Sequence, residues 1–461
     1  MGRRGRERRR PRSSRGRGPG APTRLASHGP PRKGATPPPV VSLVSLANRL
    51  TTQTLGGYAA HMPLPTPFHA RTSQLCTSML WKHWSGYYAV RHYDESPERE
   101  YNAIRQGAGL LDVSPLFKYE VRGKDAGRLL DYVLSRPVSK LKTGRVTYLC
   151  WCDDDGKVLD DGTCWRMDKH TWRLTSASPS WFWFSRHAAG LDVEIVDLSD
   201  NVAAVALQGP TSRKVLAASC DADLEALKFF GWAHATFTPT SGSPFKATIS
   251  RTGYTGDLGY EVWVDNANAL ALWDLLMARG KDHGIWPIGL DALDISRIEA
   301  GFILQGCDYH SAYDTVHPAS KSSPFELGLD WTVELDREPF IGQRALLAEK
   351  QRGSQWAFVG LEIDWDAFEA AFDRHELPPS IPTAAWRSRI PVFRGMRQVG
   401  YASSGAWSPT LKKNLALASV FCEVAAPGTD LDFEILADWE RTRVPCRVVS
   451  LPFFDPPRKK A

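Results

Sequence analysis

The 461-residue chain contains no run of 18 or more apolar residues, and its most apolar short piece, residues 40–47 (VVSLVSLA), is far below the roughly 20 residues a helix needs to cross a bilayer. No helical membrane span is therefore indicated. Paired cysteines are missing too. The eight cysteines stand at 76, 150, 152, 164, 220, 307, 422 and 446, without a CxxC spacing and without the density of a secreted disulfide scaffold. They are expected to be reduced thiols of an intracellular protein. Cys150 and Cys152 would share one strand face, but no His or second Cys pair stands at ligand spacing, so no metal site is expected. Acids are scarce only at the start. Residues 1–40 carry twelve Lys/Arg against the single acid Glu7, which leaves 45 basic and 50 acidic residues over positions 41–461. The overall charge of +6 thus belongs to a tail, and the body is mildly acidic. That argues against nucleic-acid binding by the folded part.

The tail (MGRRGRERRRPRSSRGRGPGAPTRLASHGPPRKGATPPP) is also almost free of large apolar residues and cannot bury enough surface to order itself. We expect residues 1–61 to be a disordered basic segment. Its composition fits electrostatic RNA binding, or an Arg-rich, acid-poor transit peptide; alternatively the chain starts at Met62 and all before it is dispensable. The expected compartment is the cytoplasm, with the mitochondrial matrix as the alternative if the tail is a transit peptide.

What is present is 43% apolar residues, enough for two or three domains with a large core. In SPEREYNAIRQGAG, Ser96 as N-cap and Pro97 at the first helical position predict a helix that stops near Gly107 and Gly109. Residues 116–138 read as strand, turn, helix, and the same rhythm returns at 202–220 around Gly209-Pro210. Residues 144–177 read as three strands turning at Asp155-Gly156 and Asp168-Lys169. Two related α+β units are expected over 62–350. A last segment, 356–455, has strands broken by Pro and Gly with little helix pattern and reads as a small β-domain.

Chemistry concentrates in two places. ISRTGYTGDLGYEVWV, residues 249–264, reads as a hairpin whose glycines supply turn conformations. It places Glu261 beside Tyr254, Tyr260 and Trp263, where a carboxylate loses solvation unless something donates to it. The donor is either a ligand or an Arg at a strand edge. In VLDDG, Asp160-Asp161-Gly162 is either a surface turn or part of a site.

Taken in order, AGLLDVSPLFKYEVRGKDA, GKVLDD, ALQGP, RTGYTGDLGYEVWV, RIEAG, FIGQRAL and YASSGAWSPTLKKNLALASV resemble the aminomethyltransferase family, the glycine cleavage T-protein type, from about Tyr101 to Val420. The resemblance implies an α+β, three-domain cloverleaf, in which two related units form a tetrahydrofolate site and the last domain is a small β-barrel. It implies that Asp161 is the catalytic carboxylate facing the reactive folate nitrogen and that Glu261 recognises the pterin. Tyr254 and Tyr148 would line the cavity, Ser176 stands where the family often has Asn, and Arg297 is retained with Glu299. A carboxylate accepts well from the adjacent ring N–H and amino group of a pterin. Leu293 departs from the pattern, standing where the family has Arg, and residues 81–93 (WKHWSGYYAVRHY) are unusually aromatic. Both point towards a small methyl donor rather than an aminomethyl-lipoyl arm. The expected function is a tetrahydrofolate-dependent one-carbon transferase, with a lipoyl carrier protein as a possible partner. The alternatives are a demethylase of an O-, N- or S-methyl donor and a folate-binding module without turnover. The branch of such modules carries Lys-Gly-Cys-Tyr-Thr-Gly-Gln-Glu, where this chain has no Cys. RNA binding rests on the tail alone.

Overall fold

The computed structural model describes residues 62–460, so the expectations for the tail lie outside the described residues. β1 (Trp81–Trp84) and β2 (Tyr87–Val90) form a separate hairpin. Eleven strands follow: β3 (Ala108–Asp112), β4 (Phe117–Arg122), β5 (Val146–Cys152), β6 (Val158–Arg166), β7 (Thr171–Ser176), β8 (Glu194–Asp197), β9 (Val202–Gln208), β10 (Trp232–Phe237), β11 (Phe245–Ser250), β12 (Gly259–Asp265) and β13 (Ile285–Pro287). They divide into a six-stranded sheet, β10-β11-β12-β9-β3-β13, and a five-stranded one, β5-β6-β7-β4-β8. β14 (Trp356–Ile363), β15 (Ile390–Arg394), β16 (Arg397–Ser408), β17 (Lys413–Phe421), β18 (Asp430–Ala437) and β19 (Glu440–Val449) close into a barrel in the order β14-β17-β16-β15-β18-β19. This is the mixed α+β architecture with a terminal small barrel that the sequence led us to expect.

The strand sequences explain the layering. β9, VAAVALQ, is apolar up to its last residue because both its faces are covered. Ala203, Val205 and Leu207 pack under the helix Ala269–Gly280 with its Leu272, Trp273 and Leu276, whereas Ala204 and Ala206 face a second core. The five-stranded sheet is covered by the helices Ala126–Val133 and Trp181–His187, whose Leu129, Leu130, Trp183 and Phe184 meet Tyr119, Leu149, Trp151 and Leu174. The second core joins everything. It collects Trp165 of β6, Trp263 of β12, Ile104 of the helix Glu98–Gln106, Ile295 and Ile298 of the helix Leu290–Glu299, and Leu415 and Leu417 of β17.

A buried carboxylate ties the same elements. Glu299 accepts from Tyr101 Oη (2.5 Å), Arg105 Nε (2.9 Å) and Nη2 (2.5 Å), and Ser408 Oγ of β16 (2.5 Å). Two helices and the barrel thus converge on one side chain, with its charge balanced by Arg105 as burial demands.

Two local expectations need correction. The helix expected after Ser96 begins at Glu98 with Pro97 in the cap position, so the Ser96 hydroxyl stands one residue too far out to cap it. The last segment holds a real helix, Trp365–Asp373, started by the Asp364 side chain accepting from Ala367 N (2.8 Å) and buried through Phe368, Ala371 and Phe372. No helix among the described residues is long and apolar enough to cross a membrane.

Candidate active site

Asp161 lies inside a strand, not in a surface turn. It stands opposite Cys150 in the β5–β6 pair, after the register slips by one between Trp151 and Cys152. Alternation then sends Asp161, Thr163 and Trp165 to one face and Asp160 to the other. Tyr148 of β5 donates to Asp161 Oδ2 (2.6 Å), and Tyr309 donates to Oδ1. Asp160 accepts from the Asp161 and Ser178 amides (both 2.8 Å), which fixes the turn leaving β7. Burial raises the pKa of both carboxyls, and that of Asp160 further because Asp161 adds its charge; the two phenols draw Asp161 back.

Glu261 lies in β12, paired with Ser250 of β11 and Ala206 of β9. Its Oε2 accepts from Thr252 Oγ1 (2.7 Å). Among the described residues no basic side chain pairs with it, so the strand-edge Arg reading falls. Burial raises its pKa, and Thr252 and Ser250 partly offset this. The Trp263 ring, on the same strand face as Glu261, meets the Trp165 ring, on the same face as Asp161, edge to face at 5.3 Å. The two carboxylate-bearing faces therefore meet at one junction.

β11 and β12 do pair as an antiparallel hairpin, but the glycines of the opening between them serve another purpose than turning. Only Gly256 has positive φ, at 72°. A Cβ on Gly253 or Gly259 would fall 2.0 or 2.1 Å from Gln208 Oε1. The buried Gln208 amide fills that space, donating to the Thr252 and Tyr260 carbonyls (3.3 and 3.2 Å) and accepting from Thr255 Oγ1 (3.0 Å). The backbone here makes room for the protein's own side chain.

The remaining predicted residues separate. Tyr148 stacks on Trp331 (5.7 Å), and Tyr254 stacks on Phe302 (5.5 Å) and donates to the Ile303 carbonyl. Arg297 is wholly occupied inside the protein, bonded to Asp294 (2.7 Å), Asp308 (2.5 Å) and the Phe302 carbonyl (3.2 Å). Burial opposes its charge, but Asp308 and Asp294 outweigh it and raise its pKa. Ser176 is buried with its hydroxyl on the Ser178 carbonyl (2.7 Å), so it braces a turn beside Asp160 and touches neither Asp161 nor Glu261. Leu293 packs into the junction core, and Arg387, from the segment before β15, reaches the neighbouring Asp294 (2.7 Å). The aromatic segment 81–93 packs on itself, Trp81 against Tyr88 (6.0 Å), and on His69 of the preceding helix (5.2 Å from Trp81), while its Lys82, Arg91 and His92 clasp Asp291.

Residues 61–337 match the GCVT N-terminal domain, and residues 378–455 match the glycine cleavage T-protein C-terminal barrel domain. The chain belongs to the glycine cleavage T-protein family. An aminomethyltransferase from Alkaliphilus oremlandii is 33% identical over 366 residues, 78% of this chain and 90% of the relative. A trimethylamine-oxide aldolase from Ruegeria pomeroyi is 32% identical over 410 residues, covering 87% of this chain but 48% of that longer protein. The crystal structure of glycine cleavage system aminomethyltransferase T from Bartonella henselae shares the fold, with a TM-score of 0.70 and 23% identity over 86% of this chain and 99% of that one. As a T-protein family member, this chain is an enzyme of the one-carbon transferase class. Sequence reasoning missed Tyr309, Trp331 and Thr252. Tyr309 comes from an irregular stretch and Trp331 from the three-residue 3-10 helix Asp330–Thr332, both after Arg297 and neither long enough for periodicity to mark a side chain's direction. Thr252 was within sight, nine residues before Glu261.

Proposed function

We propose that this chain transfers a one-carbon unit to tetrahydrofolate, with Asp161 as the catalytic carboxylate. The observation that carries this reading is Asp161 itself, a half-buried carboxylate inside a strand, held by two phenols. The site suits a pterin: among the described residues Glu261 Oε1 accepts from no protein donor while Oε2 is fixed by Thr252, and a ligand presenting two adjacent N–H groups would complete the set. Tyr254, backed by Phe302, offers a flat wall. Tetrahydrofolate, when bound, supplies the nucleophilic ring nitrogen. Asp161 orients that nitrogen and places negative charge where positive charge develops, and its two phenol partners keep it from rotating away.

The donor divides the reading in two. Aminomethyl transfer from a lipoyl carrier protein is supported by the named aminomethyltransferase relatives. Demethylation of a small donor is supported by Leu293, which leaves an apolar contact where the family carries a guanidinium, and by the similarity to a trimethylamine-oxide aldolase. The test is to incubate the protein with tetrahydrofolate and either an aminomethylated lipoyl carrier or a panel that includes trimethylamine N-oxide, and to identify the folate product by mass. Methylene-tetrahydrofolate with ammonia from the carrier identifies aminomethyl transfer. A methylene or methyl adduct formed from a panel compound identifies demethylation. Unmodified tetrahydrofolate with every donor overturns the proposal.

A further inference from the structure

The two phenols on Asp161 are not equivalent. Tyr148 stacks on Trp331, which is 57% exposed, so that side of the carboxylate borders open space. Tyr309 is 2% exposed and follows Asp308 in a loop fixed at both ends. Asp308 Oδ2 accepts from Arg297 (2.5 Å) and the Leu304 amide (2.9 Å), and Oδ1 accepts from Ser403 (2.5 Å) and Ser404 (2.7 Å) of barrel strand β16. All its acceptor positions are used, which leaves the loop no alternative arrangement. Gln305, in the same loop, accepts from Ser178 Oγ (2.8 Å) and donates to the Leu159 carbonyl (3.3 Å), two residues before Asp161. The Gly306 amide donates to the Tyr309 carbonyl (2.7 Å) and closes the turn.

We infer that Tyr309 is a positioning residue: its hydroxyl, anchored through Asp308 to Arg297 and to the barrel, fixes the plane of the Asp161 carboxylate. The barrel thereby acts on Asp161 in the five-stranded sheet through one loop, without contributing a group to the chemistry. This rests on the reading of Asp161 as the catalytic carboxylate, and it explains why Arg297 is fully occupied inside the protein. Arg297 acts at two removes, through Asp308 and Tyr309.

The experiment follows the Asp161 carboxylate directly, by infrared titration of the free full-length protein, with the band assigned by its loss in Asp161→Asn. Tyr309→Phe keeps the ring and removes only the donor, so the band is expected to titrate about one pH unit higher, the usual effect of removing one hydrogen bond to a charged group. Ser403→Ala combined with Ser404→Ala loosens the anchor and is expected to shift it in the same direction by less, which gives a second reading if the tyrosine variant folds poorly. A purely structural tyrosine would lower the melting temperature and leave the titration where it was. An unmoved band in a folded Tyr309→Phe protein, or in the folded serine variant if Tyr309→Phe does not fold, overturns the inference. The reading of Asp161 fails separately, if Asp161→Asn transfers the one-carbon unit to tetrahydrofolate at the unaltered rate.

Discussion

At the scale of single residues, Asp161 and Glu261 are both carboxylates raised in pKa by burial, yet their surroundings differ. Asp161 has a donor on each oxygen, whereas Glu261, among the described residues, keeps one oxygen open. Asp161→Asn is expected to lower turnover about 10²-fold, roughly 2.7 kcal/mol, with tetrahydrofolate affinity nearly unchanged, because it removes charge and little else. Steady-state rates and separate calorimetry check this; a turnover number equal to that of the unmodified protein would leave Asp161 with a structural role only. Glu261→Gln should do the reverse, weakening folate binding by about 1.5–3 kcal/mol while the melting temperature holds. Unchanged affinity would remove Glu261 from the pterin site. Both residues were assigned to the site only through the resemblance; the residues alone left Asp161 as a turn or a site and gave Glu261 either a ligand or an Arg as donor. Tyr309 was not legible at all. Its direction depends on Asp308, and that depends on serines almost a hundred residues later, a contact no local pattern encodes.

At the scale of elements, the β11–β12 hairpin shows why a turn-like composition can mislead. Three glycines in RTGYTGDLG look like turning residues, but two of them are vacancies for the Gln208 side chain. Gly259→Ala should therefore destabilise the protein by about 1–3 kcal/mol through overpacking, although φ at this position is not in the left-handed region. A clear drop in melting temperature is the expected result; no drop would mean Gln208 moves aside freely. The strand-turn-helix units and the three-stranded run over 144–177 were readable because each is built of contiguous residues with turn signals between them. The helix Trp365–Asp373 escaped because it is only nine residues long, and what stabilises it is one cap and its packing on the barrel.

At the scale of the whole molecule, buried charge ties separate segments together, and pH reaches the fold through it. Glu100 accepts from the Tyr93 amide (2.5 Å) and the Gly289 amide (2.7 Å), joining the segment after β2 to the start of the helix Leu290–Glu299. Burial raises its pKa to about 7, against the lowering effect of those amides. A pKa raised in the fold means the folded state holds the proton more tightly. The contribution to stability is complete below the ordinary value of about 4.5 and is lost as pH climbs through about 7, in total about 3 kcal/mol. Melting temperature should fall over that window, and Glu100→Gln should flatten the slope whatever its constant offset; an identical slope would exclude Glu100 as the source. The barrel has its own weak place. Its strands are zipped by eight register pairs at β16–β17 and at β18–β19, but by two at β15–β18, Val392 with Phe433 and Phe393 with Asp432. A closed barrel presents no free edge, so its solubility hangs on that short seam. Fluctuations that part it would uncover two free strand edges, since β15 stays paired with β16 and β18 with β19, and each edge is a template on which another chain can add. Amides along β15 and β18 should accordingly exchange with deuterium sooner than those of β16 and β17, and mild heating should convert the protein to cross-β aggregates from this side of the barrel first.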